Sequence, residues 1–231
     1  MRIGRSLSIA VLGTACVVFA SHAAKAEITL SQLVVELLPT SKARDVEIYN
    51  DADERAYVVV EPRRIVNPGQ GTETSESPVD PERLGLLVSP RKLILEPHQR
   101  RLIRIADIRS SDLNERVYRI TVKPQVGDVT SAKSGLKLMV GYDMLIIARP
   151  ASSSSPKLVA ERKDGALIIK NEGNSSVELD GGEQCRAAKI DCRNLGSKRL
   201  YSGASWKVSL PYSTPAKFNV RGSAGWTSTV F

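Results

Sequence analysis

The sequence is poor in the residues on which most enzymes rely. Of 231 residues, two are histidine (His22 and His98) and three are cysteine (Cys16, Cys185 and Cys192). Neither a Gly-x-Ser-x-Gly turn nor a His-Glu-x-x-His pair is present, so no nucleophile–base pair or metal motif stands out. The chain therefore reads as a non-enzyme, with no cofactor and no metal. Aromatic residues make up only 5% of it, which leaves no platform for stacking bases. Its basic residues are interspersed with acidic ones, the Arg–Arg doublets being Arg63-Arg64 and Arg100-Arg101. Nucleic acid is excluded as a partner on these grounds.

Long apolar runs are also missing. The run Leu7 to Ala20 is too short to span a bilayer, and no other stretch approaches the roughly 20 residues a membrane helix needs. Flanked by Arg2 and Arg5 before it and Ala24-Lys25-Ala26 after it, this run has the order of a secretory signal peptide over residues 1–26. Leu12-Gly-Thr-Ala-Cys16 has Gly13 where a lipoprotein site usually carries an aliphatic residue, so cleavage after Ala26 is the better reading. A soluble, exported chain starting at Glu27 is expected, without stable insertion in a membrane. The leader holds three of the eight excess positive charges, leaving +5 on a moderately basic mature protein. It also takes Cys16 and His22 away. Cys185 and Cys192 remain as an even pair in an oxidising compartment, where a disulfide between them is expected.

What is abundant is the strand pattern. Short apolar segments occur at Ile28–Leu38, Asp45–Tyr49, Tyr57–Glu61, Leu84–Val88, Lys92–Leu95, Arg101–Ile105, Val117–Val122 and Leu136–Ile147. Turn residues separate them at Asn50-Asp51, Asn67-Pro-Gly69, Glu96-Pro97 and Val126-Gly-Asp128. In the last segment Leu136, Leu138 and Val140 alternate with Lys137, Met139 and Gly141, which places the three aliphatic groups on one face of a strand. Arg149-Pro150 and a serine-rich linker, 151–156, follow. Beyond it, Lys163-Asp-Gly165 joins two short strands, Asn171-Glu-Gly-Asn174 turns the chain into Val177–Leu179, and further strands are expected at Ser205–Leu210 and Ala216–Arg221. The fold class is all-β, with one sandwich over 27–150 and a smaller one, tied by the disulfide, over 157–231.

The order Leu87-Val-Ser-Pro90, Leu93-Ile-Leu-Glu-Pro97, Leu102-Ile-Arg-Ile105, Glu115-Arg-Val-Tyr-Arg119 with Pro124, and Leu136 to Pro150 resembles the periplasmic chaperones of the chaperone–usher pathway, the PapD-like family that assembles fimbriae (pili). Pro62-Arg-Arg-Ile-Val-Asn-Pro-Gly69, Val117-Tyr-Arg-Ile120 and the cysteine pair look like the alternate branch, which serves alpha-type fimbriae and the common pilus. The resemblance implies two immunoglobulin-like domains in an L or boomerang arrangement. It implies donation of Leu136, Leu138 and Val140 to a subunit groove, with fimbrial subunits and an outer-membrane usher as partners. A self-capping homodimer of the free chaperone also fits it.

In the better-known branch a subunit's terminal carboxylate is held by an arginine on the first strand and a lysine on the seventh. Here those positions fall on Val34 and Leu145. Arg119 and Lys123 are the replacement candidates, because a buried carboxylate needs a cation or donors. Arg149 matches a family arginine at the domain junction that forms an ion pair across the interface, which implies an interdomain ion pair here with Glu115 as the candidate partner. The alternative to a chaperone is a two-domain β-sandwich adhesin or minor pilus subunit exported by the same route.

Overall fold

A computed structural model describes residues 28–109, 113–125, 139–150, 155–187, 189–222 and 225–231. The expected signal peptide, most of the expected linker, Leu136 and Leu138 lie outside them.

Eleven elements precede residue 150: β1 (Ile28–Leu30), β2 (Val34–Leu37), β3 (Ala43–Asn50), β4 (Ala56–Val66), β5 (Thr74–Glu76), the short helix α1 (Pro81–Leu84), β6 (Leu86–Ser89), β7 (Lys92–Leu95), β8 (Arg100–Asp107), β9 (Arg116–Gln125) and β10 (Tyr142–Ala148). They form one sheet in the order β1-β3-β8-β6 and another in the order β2-β10-β9-β4-β5, with β7 also paired to β4. Period-two alternation explains how the two sheets close on each other. Val46 and Ile48 of β3, Ile103 and Ile105 of β8, and Tyr118, Ile120 and Val122 of β9 all point into a common core.

Three segments depart from the expected strands. Ile28–Leu38 is not one strand: β1 pairs with β3 in the first sheet and β2 runs parallel to β10 in the second. Ser31 makes the switch, donating its backbone N–H to Glu47 O while its hydroxyl accepts from Glu47 N. Leu84 ends a helix instead of opening a strand. Asp80 caps that helix and Gly85, at φ 83°, turns the chain out of it, so Leu84, Leu86 and Val88 are all buried although the backbone changes type between them. Finally, β10 starts at Tyr142, where pairing with Val122 begins, so Met139–Gly141 stand outside the strand expected over 136–147.

After residue 155 come β11 (Leu158–Lys163), β12 (Ala166–Asn171), β13 (Val177–Ala187), β14 (Ile190–Leu200), β15 (Ser205–Ser209), β16 (Ala216–Gly222) and β17 (Gly225–Val230). The sheets β11-β12-β15 and β14-β13-β16-β17 enclose a second core. Phe218 sits at its centre, edge-on to Trp206 and Phe231. Asp164 and Gly165 both have positive φ, the conformation a tight two-residue hairpin requires. Cys185 and Cys192 are opposite each other on β13 and β14 and are joined by a disulfide.

Candidate functional site

The sheet β2-β10-β9-β4 has a second face, turned away from its own core, and the candidate residues lie on it in cross-strand rows. One row reads Arg63, Arg119, Leu145, Val34. The next reads Glu61, Thr121, Asp143. On the other side, Ile65, Val117 and Ile147 make an apolar row that packs against Tyr201 of the second sandwich. Val34 and Leu145, the positions that the resemblance sets against a basic pair, are thus direct neighbours in the parallel β2–β10 pair. Arg119 sits one strand further in, beside Leu145.

Arg119 and Arg63 are opposite each other on β9 and β4, an arrangement that like charges disfavour unless an anion lies between them. Asp143 supplies it. Both oxygens of Asp143 accept from Arg63 Nη2 at 2.9 Å, and Arg63 Nη1 donates to Thr121 Oγ1 at 2.6 Å. Arg119 Nη1 lies 3.8 Å from Asp143 Oδ2, and its guanidinium makes no hydrogen bond among the described residues. Lys123 is differently placed. Its ammonium pairs with Glu61 at 3.0 Å, and both side chains are about half exposed.

Of the three residues expected to be donated, Leu136, Leu138 and Val140, only Val140 is described. It precedes β10 and is 41% exposed. Leu33 and Val34, at the outer edge of β2, are exposed to a similar degree.

Arg149 and Glu115 meet where the two sandwiches join. Arg149 Nη1 donates to Glu115 Oε2 at 2.6 Å, while its Nε and Nη2 reach Glu36 on β2 at 3.1 and 3.0 Å. Both partners of the Arg149–Glu115 pair precede residue 150. The link across the junction comes from Ser176, whose N–H and hydroxyl both donate to Glu115 Oε2, at 2.9 and 3.0 Å. Asn174 adds to it, its carbonyl accepting from Glu115 N and its side chain donating to Leu113 O. Arg221 of β16 binds Glu178 at 3.0 Å and lies 4.0 Å from Glu36.

Burial pushes the Glu115 carboxyl up from its ordinary value, against the opposing pull of Ser176 and Arg149. It likewise pushes up the Tyr201 phenol, with Arg199 and Arg119 pulling the other way.

Sequence reasoning missed Arg63, Asp143, Glu36, Ser176 and Tyr201. For Arg63 a signal existed: Glu61, Arg63 and Ile65 alternate in a strand whose other face is apolar through Val58, Val60 and Pro62, which marks a second, more polar face. The contact to Asp143 depends on register between strands 80 residues apart in sequence, and nothing local encodes it. Among the described residues one group has the spacing of a metal site, Glu183 with Cys185 and Cys192, but its two sulfurs are bonded to each other.

No protein-family model matches the chain. A CS1 fimbrial protein of Escherichia coli, named as a fimbrial subunit, is 28% identical over 176 residues, spanning 71% of this chain and 73% of that protein. The class 5 fimbriae chaperone CfaA superposes with a TM-score of 0.67 at 21% identity, covering 88% of this chain and 98% of its own. The chain has the fold of the fimbrial chaperones. The Escherichia coli chaperone DraB fits the same description, with a TM-score of 0.59, 19% identity, and coverage of 88% and 96%. The similarity in fold extends through both sandwiches, and in the first of them β10 lies between β9 and β2.

Proposed function

We propose that this chain is a periplasmic chaperone of the chaperone–usher pathway, in the alternate branch, which captures fimbrial subunits by donating a strand and hands them to an outer-membrane usher. It is exported by the leader over residues 1–26 and works as two units, 27–150 and 157–231, joined by 151–156. It needs no catalytic group, cofactor or metal.

The observation that carries the reading is the completeness of the first sandwich. Its β10 is paired on both sides, antiparallel to β9 and parallel to β2. A fimbrial subunit, by contrast, resembles a sandwich without its last strand, and the hydrophobic groove this leaves is prone to aggregation. The CS1 relative carries the name of a subunit, but a two-sandwich chain whose fold covers 98% of CfaA favours the donor over the recipient.

In this reading Leu136, Leu138 and Val140 fill pockets of the subunit groove while the backbone pairs with its edges. Burying three aliphatic side chains yields about 5–9 kcal/mol in transfer terms. Association costs about 4–15 kcal/mol, so the plugs need help from main-chain pairing and from an anchor. Arg119 is the anchor for the subunit's terminal carboxylate, because among the described residues its guanidinium has a carboxylate nearby but no hydrogen bond to it; Lys123, held by Glu61, stands at the rim. Arg149 and Glu115 hold the two units at a fixed junction.

The test is periplasmic co-expression with the pilin-like subunits encoded beside the gene, comparing the wild type with a Leu138→Asp, Val140→Asp variant. Soluble 1:1 complex with the wild type alone supports strand donation. Equal recovery with both defeats it.

A further inference from the structure

Arg63, Arg119 and Asp143 form a cluster that is one carboxylate short of neutrality. The neighbouring Lys123–Glu61 pair adds no net charge to it. Asp143 is shared unequally: Arg63 Nη2 holds both its oxygens at 2.9 Å, Thr121 Oγ1 donates to Oδ1 at 3.2 Å, and Arg119 stays 3.8 Å from Oδ2. The carboxylate is therefore spent on Arg63, leaving Arg119, among the described residues, with a charge attraction to Asp143 but no hydrogen bond.

We infer that Asp143 is a resident competitor within the anchor, which lowers the affinity of Arg119 for a second carboxylate and so sets how easily a captured subunit is released. The inference rests on the chaperone reading given above. The side chain of Asp143 is 43% exposed and that of Arg119 37%, so an arriving carboxylate reaches Arg119 from solvent with the charge of Asp143 already in place. Two carboxylates sharing a pair of arginines repel each other, and at a half-exposed site this repulsion is weakened by salt. A carrier that must later give up its cargo benefits from a weakened anchor. Arg63, tied to Thr121 and Asp143, supplies a fixed second positive charge and leaves the new hydrogen bonds to Arg119.

The probe is N-acetyl-leucine, a free monocarboxylate with an aliphatic side chain, with N-acetyl-leucinamide as the carboxylate-free control. Each is titrated into the isotopically labelled protein while the Nε–H resonances of Arg63 and Arg119 are followed. The acid is expected to shift Arg119 and the amide to leave it unmoved. Asp143→Asn, whose fold is checked by its melting profile, is expected to bind the acid about three- to tenfold more tightly at low salt. That advantage should shrink in high salt.

If the acid shifts Arg119 but Asp143→Asn binds it equally or more weakly, Asp143 is not a competitor and the inference falls while the anchor stands. If acid and amide behave alike, the anchor at Arg119 falls and takes the inference with it.

Discussion

Arg119 and Lys123 are four residues apart on the same face of β9, yet their surroundings assign them different weights. Lys123 has a carboxylate partner at 3.0 Å and about half of each side chain in water, and such a pair contributes little. Replacing Arg119 by alanine should reduce recovered subunit complex by about tenfold or more, equivalent to roughly 1.4 kcal/mol, whereas Lys123→Ala should change it by less than about threefold. Quantitative size exclusion of co-expressed material reads both.

Glu115 gives a pH signature. Burial raises its carboxyl above the unfolded value, so folding favours the protonated form. Its contribution is fully present below the unfolded value, near 4.5, and is lost as pH rises through the folded one. The stability of wild type relative to Glu115→Gln should therefore fall as pH rises above about 4.5, as read by urea unfolding of both at each pH. A difference that grows with pH would contradict this. None of these distinctions is legible in the sequence, where Arg119 and Lys123 look equivalent and Glu115 is marked as a candidate partner of Arg149 but not as a buried carboxyl.

Strands are the most legible elements, because alternation is a local property. The pattern places Lys92–Leu95 to the residue, β3, β8, β9, β15 and β16 to within a few, and the turn between β11 and β12 at Lys163–Gly165. Three strands escape it for a physical reason. β5, β14 and β17 are edge strands with mostly exposed side chains, so they carry no apolar alternation and owe their place to pairing with β4, β13 and β16. The split of Ile28–Leu38 between two sheets is invisible as well, since both halves are apolar and only the partners differ.

The middle of β13 illustrates how pairing constrains a residue that sequence treats as interchangeable. A Cβ on Gly182 would stand 2.2 Å from the Phe218 ring and 2.8 Å from Gly196 O. Gly182→Ala should cost about 1–3 kcal/mol of stability through overpacking of the second core, measurable by denaturant unfolding. Alanine at Gly165 is a different case, since there the positive φ of a hairpin turn is the obstacle and no neighbour lies within 4 Å.

For the molecule as a whole, the junction matters because it determines whether the two sandwiches respond as one. Arg149 touches Glu36 on the edge strand β2 and Glu115 at the start of β9, and Glu115 in turn receives two hydrogen bonds from Ser176. Arg149→Ala leaves that nearly buried carboxylate without its cation, a change that typically costs about 3–5 kcal/mol. The variant should melt at lower temperature, with the two sandwiches unfolding in separate steps by calorimetry; a single transition at the wild-type temperature would remove the junction from the mechanism.

Strand donation is tested most directly by hydrogen–deuterium exchange of the protein with and without a bound pilin-like subunit. Amides over residues 136–141 should gain strong protection on binding, while the core strands β3 and β8 stay as they were. Unchanged exchange over 136–141, in a complex shown to be intact, would mean that the subunit is held by some other surface.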